Sequence, residues 1–290
     1  MRGRLRPAMR ALVLGGGGIT GVGWEIGLLA GLADAGLDLS VADPPDLVVG
    51  TSAGSVVGAQ VASGVDLQEA YARQLAAPVH EIGSRMKPGT LLHFGWAALR
   101  APDAAQFAAR IGRMALAAPT VSEADRLAVI ASRLPVRRWP ERRLLLSAVD
   151  ALTGEVKILD RDSGVPLVEA VAASCAVPGV WPPVTIGGRR YIDGGVRSGT
   201  HLDLARGCAC AIALVPLPRS FGPITSAAEH ARQLEQQGSQ VLIVSPDAAA
   251  RKAIGRNVLD PRRRAPAAQA GRAQAQTVAS RVRGLWRPGA

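Results

Sequence analysis

The sequence has few cysteines. Only three of its 290 residues are cysteine: Cys175, Cys208 and Cys210. So few thiols exclude a disulfide-rich secreted scaffold and favour a reducing, cytoplasmic location. Cys208 and Cys210 have no cysteine or histidine cluster beside them, so we expect them to pack in the core rather than bind a metal. No metal or cofactor is expected.

Long apolar runs are also missing. No stretch of 18 apolar residues without a charge occurs, so we expect no segment to span a membrane. The basic N-terminus lacks the apolar core of a secretory signal. We therefore expect residues 1–8 to be an N-terminal extension that precedes the first strand.

Acidic residues are scarce at the C-terminus. Residues 251–290 hold ten basic residues and one acidic residue, Asp260, in a chain whose formal net charge is +11. Residues 1–10 add four arginines, so residues 11–250 are nearly neutral. The charge distribution predicts three parts: an N-terminal extension (1–8), a main domain (9–250) and a basic tail (251–290).

The tail allows three interpretations. Its arginines are suited to peripheral contact with an anionic membrane surface. Its apolar residues, among them Val282 and Trp286, also allow a final helix packed on the main domain. Nucleic-acid binding is disfavoured, because no nucleic-acid-binding fold accompanies the charge. We expect membrane contact through residues 251–290 and no nucleic-acid partner.

The sequence does contain a motif in which a serine lies between two glycines. Gly50-Thr51-Ser52-Ala53-Gly54 follows an apolar run and precedes a helical pattern of small residues. This context is typical of a nucleophile elbow, a sharp strand-to-helix turn that exposes a serine hydroxyl. We predict Ser52 as a nucleophile. Gly50 and Gly54 are expected because a side chain at either position would strike the neighbouring strand or helix.

A glycine-rich segment lies earlier in the chain. The apolar residues 11–14 run into four glycines, and helical spacing follows. Consecutive glycines at a helix start leave backbone N–H groups free to bind an anion. In an acyl-transfer enzyme such groups form the oxyanion hole. Gly16, Gly17 and Gly18 are therefore its candidate donors.

The same glycines match a dinucleotide-binding fingerprint, with Gly16, Gly18 and Gly21 at the required spacing. That fingerprint needs an acidic residue at the end of the second strand. Here the second strand candidate, 46–49, runs into Gly-Thr-Ser. The alternative that stays open is a nucleotide-binding or non-catalytic α/β protein that uses the glycine-rich loop.

A third motif, Asp193-Gly194-Gly195, follows a hairpin candidate. The motifs stand in the order glycine-rich loop, G-x-S-x-G and D-G-G, and the segment Ala-Val-Pro-Gly-Val-Trp-Pro-Pro precedes the third. Together these motifs span residues 11–200 and resemble the patatin-like phospholipase family. The resemblance implies a patatin-like fold and a lipid acyl hydrolase that needs no cofactor.

The resemblance also implies a Ser–Asp dyad. Ser52 would attack a fatty-acyl ester of a glycerolipid or phospholipid, and Asp193 would accept its proton. An ordinary aspartate is a poor base near neutral pH, but burial raises its pKa. Histidine is the competing base, since His201 and His230 follow Asp193 as in ordinary α/β-hydrolases. We expect His230 on a solvated helix face, which leaves His201 as the rival.

The glycine-rich loop departs from the family at one position. The family usually has a basic residue before the last glycine of this loop, where the present sequence has Thr20. No head-group contact from a loop arginine is therefore implied. The backbone amides of the loop are unaffected.

The fold class follows from apolar strand candidates that alternate with helical patterns. Continuous apolar runs indicate strands covered on both faces. We predict a three-layer α/β/α arrangement with a mostly parallel central sheet. The candidates are 11–14, 46–49, 144–149, 155–159, 208–215 and 240–244, with a hairpin at 184–186 and 190–192. Residues 78–134 are predicted to be a helical insert that covers the site or lines an acyl-chain groove.

Overall fold

The computed structural model describes residues 9–77, 86, 88–219 and 222–287. The predicted extension 1–8 and the first part of the predicted insert, 78–85, lie outside these residues. The predicted strands all form, to within two residues at each end. They are β1 (Arg10–Leu14), β2 (Leu47–Gly50), β3 (Arg143–Asp150), β4 (Val156–Leu159), β5 (Val184–Ile186), β6 (Arg189–Asp193), β7 (Cys210–Leu214) and β8 (Gln240–Val244).

One sheet contains all of these strands. Its order is β5-β6-β3-β2-β1-β7-β8, and β4 also pairs with β3. Within the run β3-β2-β1-β7-β8, each strand pairs in parallel with its neighbours. The pairs β3–β4, β3–β6 and β5–β6 are antiparallel. The sheet is therefore mostly parallel, and the predicted fold class is confirmed.

Helices cover both faces of the sheet. Side chains of β1 alternate, with Leu12 and Leu14 on one face and Ala11 and Val13 on the other. Coverage on both faces explains why the strands are continuous apolar runs. The helices are α1 (Gly18–Asp34), α2 (Ala53–Ala62), α3 (Leu67–Leu75), α4 (Pro88–Arg100), α5 (Ala104–Ala117), α6 (Glu123–Arg133), α7 (Leu167–Ser174), α8 (Ala227–Gln236), α9 (Ala248–Ile254) and α10 (Arg264–Trp286).

Most of the predicted tail is helix α10, which packs along α1. A stripe of glycines on α1 (Gly23, Gly27 and Gly31) allows the two backbones to meet. A Cβ atom on Gly27 would lie 2.0 Å from the carbonyl oxygen of Ala268. Trp286 is buried near the end of α10. Of the interpretations of the tail given above, the structure shows the final helix packed on the main domain. The boundary predicted at residue 250 therefore falls inside the packed body.

The described part of the insert is helical, as predicted. Helices α4 and α5 pack against the ends of β3 and β6, where Phe107 and Ile111 meet Val149 and Ile192. Helix α6 follows and packs on α7. Within the ranges given above, no helix is both long enough and apolar enough to cross a membrane.

Candidate active site

Ser52 lies in the sharp turn between β2 and α2. Its φ is 52°, in the left-handed region that serine rarely adopts. Both glycines of the pentapeptide are sterically required. A Cβ on Gly54 would lie 2.0 Å from the carbonyl oxygen of Leu14, and one on Gly50 would lie 2.6 Å from the carbonyl oxygen of Gly54. The turn therefore has the geometry of a nucleophile elbow, a tight strand-to-helix turn that holds one serine at the end of the sheet.

Three side chains hold the backbone of Ser52 in this conformation. Its N–H donates to Ser174 Oγ at 2.9 Å. Its carbonyl oxygen accepts from Ser55 Oγ at 2.6 Å and from Cys175 Sγ at 3.1 Å. Ser174 ends α7 and Cys175 follows it. Neither residue was predicted to have a role, although both directly precede the Ala-Val-Pro-Gly segment that leads to the third motif.

Asp193, the last residue of β6, lies beside Ser52. Its N–H donates to the carbonyl oxygen of Ala176 at 3.0 Å, and its Oδ1 accepts from the N–H of Gly195 at 2.8 Å. Burial raises the pKa of this carboxyl group to about 6. The nearby Ser52 side chain, the Gly195 amide and the charge of Arg126 act in the opposite direction and lower the pKa of Asp193.

Ser147 on β3 connects the serine motif to the aspartate motif. Its Oγ lies 3.0 Å from Thr51 Oγ1. A Cβ atom on Gly194 would lie 2.2 Å from the same Ser147 Oγ, so only glycine fits there. Sequence reasoning missed Ser147, because it lies in an apolar strand with no motif of its own.

The glycine-rich loop provides fewer free amides than predicted. The N–H of Gly16 donates to the carbonyl oxygen of Gly199 at 2.8 Å, so it is already used. Within the described part of the chain, no hydrogen bond engages the N–H of Gly17 or Gly18. Both residues lie at the start of α1 and line a cavity with Ser52. Of the three glycines predicted to donate to an oxyanion, Gly17 and Gly18 therefore have backbone N–H groups that remain available.

Thr20 attaches the loop to the C-terminal segment. Its N–H donates to the carbonyl oxygen of Val258 at 3.1 Å, and its Oγ1 donates to the same oxygen at 3.3 Å. Leu259 lines the cavities on both sides of Ser52. Residues predicted to belong to the tail therefore line the cavities beside Ser52.

The side chains of the two rival histidines have partners other than Ser52. His201 is buried, its pKa is lowered by burial, and its Nε2 lies 3.2 Å from the carbonyl oxygen of Gly194. His230 is also buried, with Nδ1 3.5 Å from Asp203 Oδ1. The predicted solvated position of His230 is therefore wrong. Among the described residues, no histidine nitrogen forms a hydrogen bond with Ser52.

Ser52 stands between two cavities of different character. The larger, about 280 Å³, also contains Asp193 and the glycine-rich loop, and its walls are mainly apolar. The smaller, about 30 Å³, is lined by arginines from α6 as well as by apolar groups. The apolar walls of the larger cavity include Met86, Phe94, Val196, Val215, Leu217 and Ile224. Met86 and Phe94 come from the predicted insert.

The chain is similar to proteins of one family. The family model described as Patatin-like phospholipase matches residues 12–206, about two thirds of the chain. The structure of VipD from Legionella pneumophila aligns with 95% of this chain and 67% of its own, at 13% identity and a TM-score of 0.45. The type III effector protein ExoU aligns with 94% of this chain and 54% of its own, at 15% identity and a TM-score of 0.38. No curated protein matches the chain.

Proposed function

The chain belongs to the patatin-like phospholipase family, and we propose that it is a serine-dependent lipid acyl hydrolase. The observation that carries the proposal is that Ser52 and the buried Asp193 carboxyl group line one cavity, close enough for the Ser52 side chain to lower the pKa of Asp193. The unused amides of Gly17 and Gly18 line the same cavity. A nucleophile, a base and oxyanion donors are the parts that acyl transfer requires.

The proposed reaction has two steps. Ser52 Oγ attacks the ester carbonyl carbon and its proton passes to Asp193. The negative charge on the former carbonyl oxygen is held by the amides of Gly17 and Gly18. The bond to the alcohol breaks, the alcohol takes the proton, and an acyl-enzyme remains. Water then attacks the acyl-enzyme and gives a proton to Asp193. Asp193 returns this proton to Ser52 Oγ as the bond between Ser52 and the acyl group breaks, and the fatty acid leaves with the serine hydroxyl and the carboxylate restored.

The pKa of Asp193 is suited to this role. A value of about 6 leaves the carboxylate mostly deprotonated at neutral pH, and it makes Asp193 a stronger base than an ordinary aspartate. Proton transfer is most efficient when the pKa of the base lies near the working pH. Burial therefore makes an aspartate usable as a base without a histidine.

The larger cavity is the proposed site of the acyl chain. Its apolar walls begin at Ser52 and the glycine-rich loop and continue to Phe94 of α4 and Ile224. Burial of methylene groups there is favourable by about 0.8 kcal/mol each. The same cavity disfavours the nucleotide-binding alternative, since the buried Asp193 carboxylate would repel a phosphate placed at the loop.

The helix α4 carries the surface proposed to meet a membrane. Leu92, Trp96 and Leu99 lie on one side of this helix and are 75%, 47% and 88% exposed; together they form the α4 surface. The guanidinium groups of Arg100 and Arg110 lie 4.9 and 5.8 Å from the centroid of the Trp96 ring. Apolar side chains flanked by arginines are suited to an anionic lipid surface.

We therefore propose that the α4 surface, rather than the tail, contacts the membrane. The apolar residues Val278, Val282 and Trp286 are buried against the body, so they are not available to lipid. Phe94 on α4 lines the acyl cavity, whereas Leu92 and Leu99 face outward. A bilayer bound to the α4 surface would therefore lie close to the cavity that we assign to the acyl chain.

Covalent labelling tests the proposed chemistry. A fluorophosphonate probe should label the wild-type protein and should not label Ser52→Ala. Ser163→Ala is the matched control, since Ser163 lies in a turn after β4 and should leave labelling unchanged. Labelling of folded Ser52→Ala at the wild-type rate would show that another residue is the nucleophile.

A further inference from the structure

A segment between α9 and α10 contacts the glycine-rich loop. Residues 255–263 form this segment, which we call the strap, and they lie outside the range 12–206 that the family model matches. Arg263 closes the base of the strap, because its Nη1 donates to the carbonyl oxygens of Lys252 and Ala253 at 3.2 and 3.3 Å. Both ends of the strap are therefore held at the C-terminal end of α9.

The middle of the strap is fixed by hydrogen bonds around Val258. The carbonyl oxygen of Val258 accepts from the N–H of Thr20 at 3.1 Å and from its Oγ1 at 3.3 Å. Within the strap, the N–H of Leu259 donates to Asn257 Oδ1 at 3.2 Å, and the N–H of Asp260 donates to the carbonyl oxygen of Asn257 at 3.1 Å. Thr20 therefore links α1 to the strap, and the turn at Asn257 fixes the backbone of Leu259.

Leu259 packs directly on Gly18, one of the two glycines with available amides. A Cβ atom on Gly18 would lie 3.1 Å from Leu259 Cδ2 and 2.5 Å from the carbonyl oxygen of Val258. Gly18 also has a φ of 60°, so both the backbone conformation and the strap require glycine there. Leu259 lines the larger cavity together with Ser52 and Gly18. The strap therefore forms the wall of the acyl cavity at the point where the ester carbonyl group would bind.

The position of Leu259 determines which part of a substrate it meets. A carbonyl oxygen that accepts from the Gly18 amide lies about 2.9 Å from that nitrogen. The first carbon of the acyl chain is two bonds from this oxygen, so it would lie beside Leu259. A straight chain has a methylene group at this carbon, whereas a branched chain adds a methyl group. In a close-packed wall an added methyl group fits only if its neighbours move.

We propose that Leu259 is a specificity-determining residue that selects acyl chains unbranched next to the carbonyl carbon. Thr20 is the positioning residue that holds Leu259 in place through Val258. This inference rests on the proposed function and deepens it, since it names the residues that choose the acyl group. The selection comes from the strap, and the glycine-rich loop contributes the surface on which the strap packs.

Two isomeric esters test the selection. The substrates p-nitrophenyl butyrate and p-nitrophenyl isobutyrate have the same atoms and the same leaving group, and they differ only in the branch next to the carbonyl carbon. Their rates of hydrolysis by hydroxide correct for unequal reactivity. The corrected ratio of kcat/KM, branched over straight, should be about one tenth or less for the wild type, and Leu259→Ala should raise it about tenfold. Leu259→Val is a smaller truncation and should give an intermediate ratio.

Thr20 is tested by removal of its hydroxyl and by conservative replacement. Thr20→Val keeps the shape and the backbone N–H but removes the hydroxyl donor to Val258, and it should raise the ratio about threefold. Thr20→Ser keeps the hydroxyl and should keep the wild-type ratio. A general loss of rate cancels in the ratio, because both esters use the same serine and the same oxyanion donors. Leu152→Ala, at a position 59% exposed in the turn after β3, is the matched control and should change neither rate.

The outcomes separate this inference from the proposed function. Hydrolysis of both esters with a corrected ratio near one in the wild type, or a ratio that Leu259→Ala leaves unchanged, would overturn the selection and leave the hydrolase intact. An unchanged ratio in Thr20→Val would overturn the positioning role of Thr20. A wild-type protein that hydrolyses neither ester and resists fluorophosphonate would contradict the proposed function, and the selection with it.

Discussion

The thiol of Cys175 donates a hydrogen bond to the carbonyl oxygen of Ser52, over a distance of 3.1 Å. Ser52 has a positive φ, a conformation that costs about 1–3 kcal/mol for a residue with a side chain. The strain persists because Ser174, Ser55 and Cys175 each bind the backbone of this residue. The geometry of the proposed nucleophile therefore depends on a segment that lies more than 100 residues later in the chain.

Replacement of Cys175 should lower catalysis more than substrate binding. In Cys175→Ala the carbonyl oxygen of Ser52 loses a donor, and we expect kcat to fall about threefold to tenfold while KM changes little. Cys175→Ser should retain most of the rate, because a hydroxyl can also donate. Cys208→Ala is the matched control, since Cys208 is buried but belongs to the core on the other face of the sheet. Equal rate losses in Cys175→Ala and Cys208→Ala would contradict a role at the turn.

The pH–rate profile should report the carboxyl group of Asp193. Because the base must be deprotonated, kcat/KM should rise with pH and level off above an apparent pKa of about 6. Asp193→Asn should lose several orders of magnitude in rate, while His201→Ala should keep most of it. A profile that is flat between pH 5 and 7 would argue against Asp193 as the base.

Stability should change with pH in the opposite sense. The folded state raises the pKa of Asp193 from its ordinary value near 4 to about 6, so the folded protein binds the proton more tightly than the unfolded chain. The ionised carboxylate therefore lowers the free energy of unfolding. This destabilisation is absent below pH 4, grows between pH 4 and 6, and reaches its full size above pH 6. Asp193→Asn should therefore raise the free energy of unfolding at pH 7 by up to about 3 kcal/mol.

Urea unfolding at several pH values measures this effect. The gain in Asp193→Asn should be largest at pH 7 and should disappear near pH 4, where the wild-type carboxyl group is protonated. Ser163→Ala, in the turn after β4, removes no titratable group and is the control; its effect on stability should be the same at each pH. A destabilised Asp193→Asn at pH 7 would show that the carboxylate is not a cost to the fold.

The contact between α1 and α10 predicts that the C-terminal helix is needed for folding. Gly27→Ala places a methyl group within 2.0 Å of the backbone of α10 and should lower the free energy of unfolding by about 3 kcal/mol or more. Gly284→Ala lies on α10 with nothing near its Cβ position, and it should be neutral or stabilising by up to about 1 kcal/mol. Thermal unfolding of the two variants measures the difference, and similar behaviour of both would contradict the close packing.

Vesicle binding distinguishes the α4 surface from the tail. The double variant Leu92→Gln/Leu99→Gln should lose most of its co-sedimentation with vesicles that contain anionic lipid. The double variant Arg262→Gln/Arg281→Gln removes two exposed tail charges and should lose about 2 kcal/mol of binding only if the tail touches the surface. Greater loss in the tail variant than in the α4 variant would return the contact to the tail. Turnover of a soluble short-chain ester in each variant shows whether the site is intact.

The sequence alone determined the elements of the site that depend on neighbouring residues. The turn at Ser52 was predictable because Gly50 and Gly54 both lie within two residues of it, and a strand and a helix adjoin it. Asp193 was predictable as the end of a hairpin strand followed by two glycines. Strand positions were also predictable, because strands covered on both faces must be continuous apolar runs.

Only the tertiary structure decided which distant groups meet at Ser52. Cys175 and Val258 reach the site because α7 and the segment before α10 pack against α1 and α2, and no local pattern encodes such a meeting. Packing of the whole chain also explains three other differences from the predictions. The N–H of Gly16 donates to the carbonyl oxygen of Gly199, His230 is buried, and most of the basic tail forms a helix packed on the body. The sequence carried two signals of the α1–α10 packing: the apolar residues of the tail, and the four-residue spacing of glycines on α1. They show that a helix can pack closely, but not which two helices meet. Local hydrogen bonding sets strands, helices and turns, whereas long-range contacts arise from the packing of the whole chain.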